Sequence, residues 1–463
     1  MHPTRLPPVD PERFVACLDV TSRRAFMAQA ALVVAGLAAC ESKSTPRAEP
    51  LPTDSAGEAE TGFRTPGRPP LPAQEPVVRV RVVKVRGPRP SVGVGAEGQQ
   101  LVVGLSRGAG EAFLRGPLKV SLGHDRWSVV DVAGRENLVQ GVEPLDIGTR
   151  LGQEEPDLAL VDRTYPGSFR FVARSDIEPG AFDIINLVLM EDYLPGVVAG
   201  ELFDQWQLQT RAAQAIAARS YAASEHFHYD GRRPYDVSNT AASQVYLGRV
   251  LHRDSVKAVA MTRGVVLASG GLLVPGYYSS CCGGRAASAV DAIGPHPAND
   301  VAPLRGRSGI DVCTGVKIAR WTIKRPVAVL SRRLRVYGKG RRLTLAKLGA
   351  IASIEPAESN AHGRPVRYAV TDTAGQRVEL SADRLRSAAN ASSPGFDPPA
   401  ESLLSSYFTV TIDGETATFN GNGFGHGVGL CQYGAQTLAE SGKDYREILA
   451  WYYPGAKLVK AYS

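Results

Sequence analysis

From Gly421 to Gly429 every second residue is glycine, written Gly-Asn-Gly-Phe-Gly-His-Gly-Val-Gly, and Leu430-Cys431-Gln432-Tyr433-Gly434-Ala435 follows directly. Read as an extended segment, the run has one face without side chains, while the other carries Asn422, Phe424, His426 and Val428. A bare face suits the near approach of a ligand or of another stretch of backbone, so five glycines in register constrain the fold more than any other segment. A kinked barrel corner is the alternative reading. The run is not a nucleotide loop: it has no Gly-Xaa-Gly-Xaa-Xaa-Gly fingerprint or Walker lysine, and no βαβ unit precedes it.

The other end of the chain points to a compartment. Ser22-Arg23-Arg24-Ala25-Phe26-Met27 is a twin-arginine pattern leading into an apolar segment that ends Leu37-Ala38-Ala39-Cys40. The apolar stretch from Phe26 to Ala39 is about 14 residues long, against the roughly 20 needed to span a bilayer, so residues 1–39 read as a cleaved signal rather than a permanent span. Cleavage before Cys40 leaves a lipidated cysteine that anchors the protein without spanning the membrane. Glu41, not Asp, follows the cysteine and favours the periplasmic face of the outer membrane in a two-membrane bacterium.

Residues 41 to about 76 are rich in Pro, Ser, Glu and Thr with Phe63 as the one aromatic, which predicts a disordered tether over 40–76. The formal charge of the whole chain is +7, and the exported form keeps about +6. That excess suits an anionic wall polymer, and without a lysine-rich run or interleaved aromatic and basic residues no nucleic-acid partner is expected.

Along the remainder, short strands are predicted at Val77 to Val85, Ser91 to Gly95 and Gln99 to Leu105, giving an N-terminal β-rich region over 77–175. An apolar run from Ile184 to Leu189 opens the second region, 176–463. There Gln207 to Phe227 reads as an alanine-rich helix with small residues on one side. Strands are expected at Gly264 to Leu267, from Trp321 and from Val410 to Phe419, with a terminal helix over Gln436 to Trp451. The fold class is α+β, with mixed, mainly antiparallel sheets, a few packed helices and a glycan-binding groove between lobes.

Four patches carry a resemblance. Met190-Glu-Asp-Tyr-Leu-Pro-Gly-Val-Val-Ala-Gly-Glu201, Ala213-Gln-Ala-Ile-Ala-Ala-Arg-Ser-Tyr221, Ser243-Gln-Val-Tyr-Leu-Gly248 and Gly423-Phe-Gly-His-Gly-Val-Gly-Leu-Cys-Gln-Tyr-Gly-Ala435 resemble, in order and spacing, the stage II sporulation protein D (SpoIID/LytB) family. The resemblance extends over roughly residues 77 to 460 and is sharpest after residue 185. It implies contact with peptidoglycan glycan strands. Characterised members are lytic transglycosylases, and a related branch enhances amidase autolysins, so the alternative is a non-catalytic peptidoglycan-binding protein that recruits or stimulates an amidase.

By the same resemblance the catalytic glutamate falls on Glu201. Glycosidic cleavage needs an acid to protonate the leaving oxygen, and small, apolar neighbours favour a carboxyl poised for that task. A second carboxylate is dispensable where the sugar's own 6-hydroxyl attacks and leaves a 1,6-anhydro end. Glu191 and Asp192 read as first-turn helix charges. The matching patches imply substrate contacts for Gln214, Arg219, Gln244, Tyr246, Ser280, His426, Gln432 and Tyr433. Two positions depart from many relatives: Ala212 stands where a basic residue is usual, and Ser279 where a histidine is. Arg211 is one residue from the former, a rotation of about 100° on a helix. Some members bind zinc just before the Gln-Val-Tyr patch, but Ser238, Ala242 and Ser243 occupy that stretch here.

Beyond Cys17 and Cys40, the chain has Cys281, Cys282, Cys313 and Cys431. Four thiols allow three pairings. A Cys282–Cys313 bridge closes the Gly/Pro-rich segment between them and leaves Cys281 to tie to Cys431; a buried free thiol at Cys431 is the alternative. With His296 as the nearest histidine, neither a metal nor any other cofactor is expected.

Overall fold

The computed structural model describes residues 67–88, 90–105, 111–149, 157–393 and 395–463. The signal segment, Cys40 and the tether up to residue 66 lie outside the described residues. Residues 67–76 are docked rather than free: Pro70 bridges to Leu272, Arg68 donates to the Ser269 carbonyl at 2.7 Å, and Arg263 pairs with Glu75 at 2.6 Å. The tether expected through residue 76 therefore does not include them.

The fold is α+β, with eight helices and six sheets among the described residues, all of the sheets open. The chain divides into two compact units. One holds Val77–Gly200 and Arg233–Val250, and the other holds Glu201–Arg232 and Leu251–Ser463.

The first unit is built on two sheets. Its strands are β1 (Val77–Val85), β2 (Ser91–Val94), β3 (Gln100–Leu105), β4 (Glu111–Arg115), β5 (Leu118–Leu122), β6 (Arg126–Val130), β7 (Glu136–Gln140), β8 (Leu145–Thr149), β9 (Leu158–Leu160), β10 (Arg163–Tyr165), β11 (Ser168–Ala173), β12 (Phe182–Leu189) and β13 (Val237–Ser238). Seven of them run in the order β13-β1-β12-β11-β8-β3-β4 and six in the order β10-β9-β2-β5-β6-β7. Alternation drives the assembly: Leu118, Val120 and Leu122 of β5 and Trp127 and Val129 of β6 turn inward, with more exposed residues between them. Trp127 joins the two sheets, its ring standing edge-on to Phe182 and Phe171 of the larger one at 5.4 and 6.2 Å. The boundary expected near residue 176 falls inside this sheet, because β12 pairs with both β11 and β1.

Strand β12 is buried at six of the seven positions from Phe182 to Val188, Leu187 being the exception, polar ones included. Asp183 there is enclosed and faces Arg86 at 2.6 Å, Arg174 at 2.8 Å and Arg81 at 3.8 Å. Helix α1 (Met190–Glu201) follows without a loop, with Glu191 and Asp192 in its first turn, as the sequence predicts.

The second unit centres on α2 (Leu208–Tyr229), which is buried at every position from Thr210 to Ser220. Helix α3 (Arg253–Met261) and strand β14 (Val265–Ser269) pack on it. Alanine lets the chain come close: at Gly276 an added Cβ would lie 2.1 Å from the Ala217 carbonyl oxygen. Short strands β15 (Leu272–Leu273) and β16 (Tyr278–Ser279) and helix α4 (Ala289–Ala292) lead into a subregion with its own core. That subregion has β17 (Arg320–Pro326), α5 (Val327–Gly340), β18 (Ile351–Ser359), β19 (Pro365–Asp372), β20 (Arg377–Ser381), α6 (Ala382–Ala389), β21 (Phe408–Asp413) and β22 (Thr416–Asn422). Leu330, Leu334, Tyr368, Leu385, Phe408 and Phe419 fill it. The strand expected over Val410 to Phe419 is two, folded back at Gly414, whose φ is +53°.

After β23 (Leu430–Cys431) come α7 (Gln432–Glu440), α8 (Tyr445–Tyr452) and β24 (Lys457–Lys460), the last paired with β14. The single terminal helix expected is therefore two, broken at Gly442 with φ +91° and restarted by an Asp444/Glu447 capping box.

The Asp183 cluster yields a stability test. Asp183→Asn removes the buried charge that three guanidinium groups share, although Arg174 keeps Asp176 at 3.0 Å, and is expected to cost roughly 3 kcal/mol, read as a lower urea midpoint by tryptophan fluorescence.

Candidate functional site

Glu201 is the last residue of α1, and small residues press that helix end into place. An added Cβ at Gly196 would lie 2.3 Å from the Gly248 carbonyl oxygen, and one at Gly200 would lie 2.8 Å from that of Val245. Glu201 itself is 2 % exposed. Its Oε2 accepts a hydrogen bond from Gln432 Nε2 at 3.3 Å, and the same amide stands 3.4 Å from Gln214 Oε1. The carboxylate thus meets one amide from the start of α7, and that amide meets a second from α2.

Both amides are half-used. Gln214 Nε2 and Gln432 Oε1 are buried with no hydrogen-bond partner among the described residues. A buried orphan of this kind costs about 1–3 kcal/mol. One donor and one acceptor beside a carboxylate are the complement of a hydroxyl group, which can give one hydrogen bond and accept another.

Three rings join the site. Trp206 meets Tyr433 edge-on at 5.1 Å, Phe203 lies 5.4 Å from Trp206 and 6.3 Å from Tyr433, and the Phe203 and Tyr433 side chains are half-buried. Burial pushes the Tyr433 phenol above its ordinary pKa, so it remains a neutral hydroxyl near pH 7. Sequence reasoning named Tyr433 but missed Phe203 and Trp206, whose signal was two aromatic rings within five residues of the candidate acid. Gln436 braces the arrangement: its Oε1 accepts from Gln207 N at 3.0 Å and Thr210 Oγ1 at 2.8 Å, tying α7 to the start of α2.

The glycine run is not an extended strand with a bare face. Gly423, Gly425, Gly427 and Gly429 have φ of +73°, +95°, +77° and +64°, so every second residue turns into the left-handed region. The space beside them is filled by the protein itself. An added Cβ would lie 2.4 Å from the Cys281 carbonyl at Gly423, 2.8 Å from Ser279 Cβ at Gly425, 2.3 Å from Arg364 Nη1 at Gly427 and 2.1 Å from the Tyr277 carbonyl at Gly429. The near approach read from the sequence is thus that of another backbone. Arg364, fully buried, completes the contact by donating to the carbonyls of Cys282 at 3.0 Å, Arg285 at 3.1 Å and His426 at 3.1 Å. His426 is half-buried, and its Nδ1 accepts from Val428 N at 3.0 Å.

Other residues expected at the substrate have partners within the protein. Arg219 is buried and donates to the Val265 carbonyl at 3.0 Å, anchoring α2 to β14. Gln244 and Tyr246 belong to the first unit, where Gln244 Oε1 accepts from Tyr193 OH and Tyr246 OH donates to Asn186 Oδ1, both at 3.1 Å. A sugar would have to displace these partners. Ser280 is buried and its carbonyl receives Tyr433 N at 3.1 Å. Of the departures, Ala212 is buried, Ser279 Oγ accepts from Gly427 N at 3.1 Å, and Arg211 donates to Ser255 Oγ at 3.0 Å and to the Asp204 carbonyl at 3.0 Å. Ser279 therefore seats the glycine run.

The four cysteines are buried and unbridged. Cys282 Sγ and Cys313 Sγ are 3.5 Å apart, and Cys282 N points at Cys431 Sγ at 3.3 Å.

Comparison with known proteins agrees with the placement of these patches. Residues 178–268 match the stage II sporulation protein family, SpoIID. This segment is similar to the SpoIID domain. Residues 304–429 match a second model, a domain of unknown function, DUF8618, which takes in the subregion from β17 to β22. An uncharacterized protein of Brachyspira hyodysenteriae is 29% identical over 296 residues, covering 64% of this chain and 72% of its own. The amidase enhancer of Bacillus subtilis is 26% identical over 289 residues, which span 57% of this chain and only 40% of the enhancer. Stage II sporulation protein D of Bacillus amyloliquefaciens is 25% identical over 292 residues, 60% of this chain and 76% of that protein. In the segment similar to SpoIID lie Glu201, Gln214 and the Gln244–Tyr246 patch, while Gln432 comes from beyond both matched segments.

The crowding at the glycine run is measurable. Gly429→Ala, strained in φ and overlapping the Tyr277 carbonyl, is expected to cost about 3 kcal/mol or more. Gly442→Ala, with a similar φ and open space around it, is expected to cost about 1–2 kcal/mol. Thermal melts of the two variants check the difference.

Proposed function

We infer that the chain works on peptidoglycan, and that it cleaves the glycan strands as a lytic transglycosylase with Glu201 as the acid and base. The observation that carries this reading is the buried Glu201 carboxylate bonded to the Gln432 amide, which in turn meets the Gln214 amide, both amides half-satisfied. In the proposed reaction the protonated Glu201 carboxyl gives its proton to the glycosidic oxygen as the C1–O bond breaks. The resulting carboxylate then takes the proton of the 6-hydroxyl as that oxygen bonds to C1, leaving a 1,6-anhydro end and restoring the acid. No water is consumed, so one carboxylate suffices. The open amide donor and acceptor suit a sugar hydroxyl, and the half-exposed Phe203 and Tyr433 rings suit the apolar face of a sugar.

A second reading has its own support. Glu201 is nearly enclosed and its Oε2 is already engaged, and one relative is named an amidase enhancer. In that reading the same surface holds glycan strands and brings an amidase to them without cleaving. Export by the twin-arginine route and anchoring through Cys40, on the periplasmic face of the outer membrane, belong to either reading.

Peptide-free glycan strands incubated with the protein are expected to yield 1,6-anhydro ends by mass spectrometry. Glu201→Gln is expected to lower the rate by about 10²–10⁴, and Gln432→Leu by about tenfold, with both variants still retained on purified sacculi. Retention and amidase stimulation by wild type without anhydro products would establish the second reading instead. Cys40→Ser is expected to move the exported protein from the membrane fraction to the soluble one on cell fractionation.

A further inference from the structure

We propose that Cys282, Cys313 and Cys431 hold a soft divalent cation of the zinc class, with a fourth ligand from Cys281 or Asp311, as a structural centre that locks the glycine run to the chain it crosses. The ligand atoms of Cys282, Asp311, Cys313 and Cys431 all lie within 4.8 Å of one another, and all four residues are buried. Thiolates about 2.3 Å from a common zinc at tetrahedral angles stand about 3.8 Å apart, which the 3.5 Å separation of Cys282 Sγ and Cys313 Sγ approaches. The expectation that no metal binds here rested on the lack of neighbouring histidine. Sulfur alone suffices for a closed structural site.

The surroundings are those of an oriented ligand set. Cys282 N–H points at Cys431 Sγ at 3.3 Å. Asp311 holds the short turn that carries Cys313: Oδ1 accepts from Cys313 N at 3.0 Å and from Tyr452 OH at 3.2 Å, while Oδ2 pairs with Arg307 at 3.0 Å. With its oxygens so engaged, Asp311 suits the outer role of fixing a ligand. Cys281, next to Cys282 in the chain, is also buried and unbridged, which makes it the alternative fourth ligand. Binding exchanges each ligating thiol's proton for the metal and releases it to solvent.

The three proposed cysteine ligands come from three separate places: the Cys282-Gly283-Gly284 turn, the turn after Asp311 and the residue before α7. A metal there joins segments far apart in sequence, and Gln432, which reaches Glu201, follows one ligand directly. This proposal does not depend on the reaction assigned to Glu201.

The test uses the full chain purified without reductant or chelator. Elemental analysis is expected to find about one zinc per chain, and exchange for Co²⁺ to give the strong near-ultraviolet thiolate-to-cobalt absorption together with the visible bands of a tetrahedral ion. Cys313→Ser is expected to lose the metal. Cys281→Ser identifies the fourth ligand: it weakens the charge-transfer band if Cys281 ligates and leaves it at full strength if Asp311 does. Metal-free protein in which peptide mapping finds Cys281, Cys282, Cys313 and Cys431 joined in two disulfides would overturn the proposal. So would these four cysteines present as free thiols that take up no zinc or cobalt, a result read on wild type alone and independent of whether any variant folds.

Discussion

Backbone passes backbone at van der Waals contact where the glycine run meets the segment Tyr277 to Gly284. The carbonyls of Tyr277 and Cys281 stand where side chains at Gly429 and Gly423 would be, so the two stretches can approach only because four residues carry no Cβ and accept left-handed φ. From that contact follow the parallel pairing of β16 with β23, the enclosure of Arg364 among three carbonyls, and the gathering of four cysteines. It also fixes where α7 begins, and with it the position of Gln432.

The chain of placement runs from there to the carboxylate. Gln432 leaves the crossing as the first residue of α7, and Gln436 one turn later grips the start of α2, which supplies Gln214. Glu201 reaches the same point from α1, whose Gly196 and Gly200 permit close packing at the helix's other face. Three elements that are remote in sequence thus converge on one acid.

Much of the architecture was readable from residue pattern. Strands β1 to β3 lie within a residue or two of their expected bounds because alternation and β-branching agree there, and α2 is where alanine and helical spacing place it. The glycine run misled for a physical reason: a period of two fits both a flat strand with an empty face and a path in which every other residue is left-handed, and glycine tolerates either. The breaks at Gly414 and Gly442 had local signals, an Asp-Gly pair and a downstream Asp with Glu three residues on, which hydrophobic run length overrode. The contact of Gln432 with Glu201 and Gln214 spans more than two hundred positions, and no local pattern encodes it. Several motif residues turned out to be architectural. Arg219, Gln244 and Tyr246 secure helices and strands, so the patches that carry the family likeness mark the scaffold as much as the chemistry.

The subregion from β17 to β22 begins and ends as a pair. Arg320 opens β17 opposite Asn422, which closes β22, so the chain leaves and returns across one strand spacing of about 5 Å. Along the chain residues 320–422 are thus an insertion whose ends meet, and Arg364 ties that insertion to its host a second time through the carbonyls of Cys282, Arg285 and His426. Because the return strand feeds straight into the glycine run, with the Trp321 indole donating to the Gly423 carbonyl at 2.8 Å, whatever engages that insertion pulls on the same thread that sets Gln432 against Glu201.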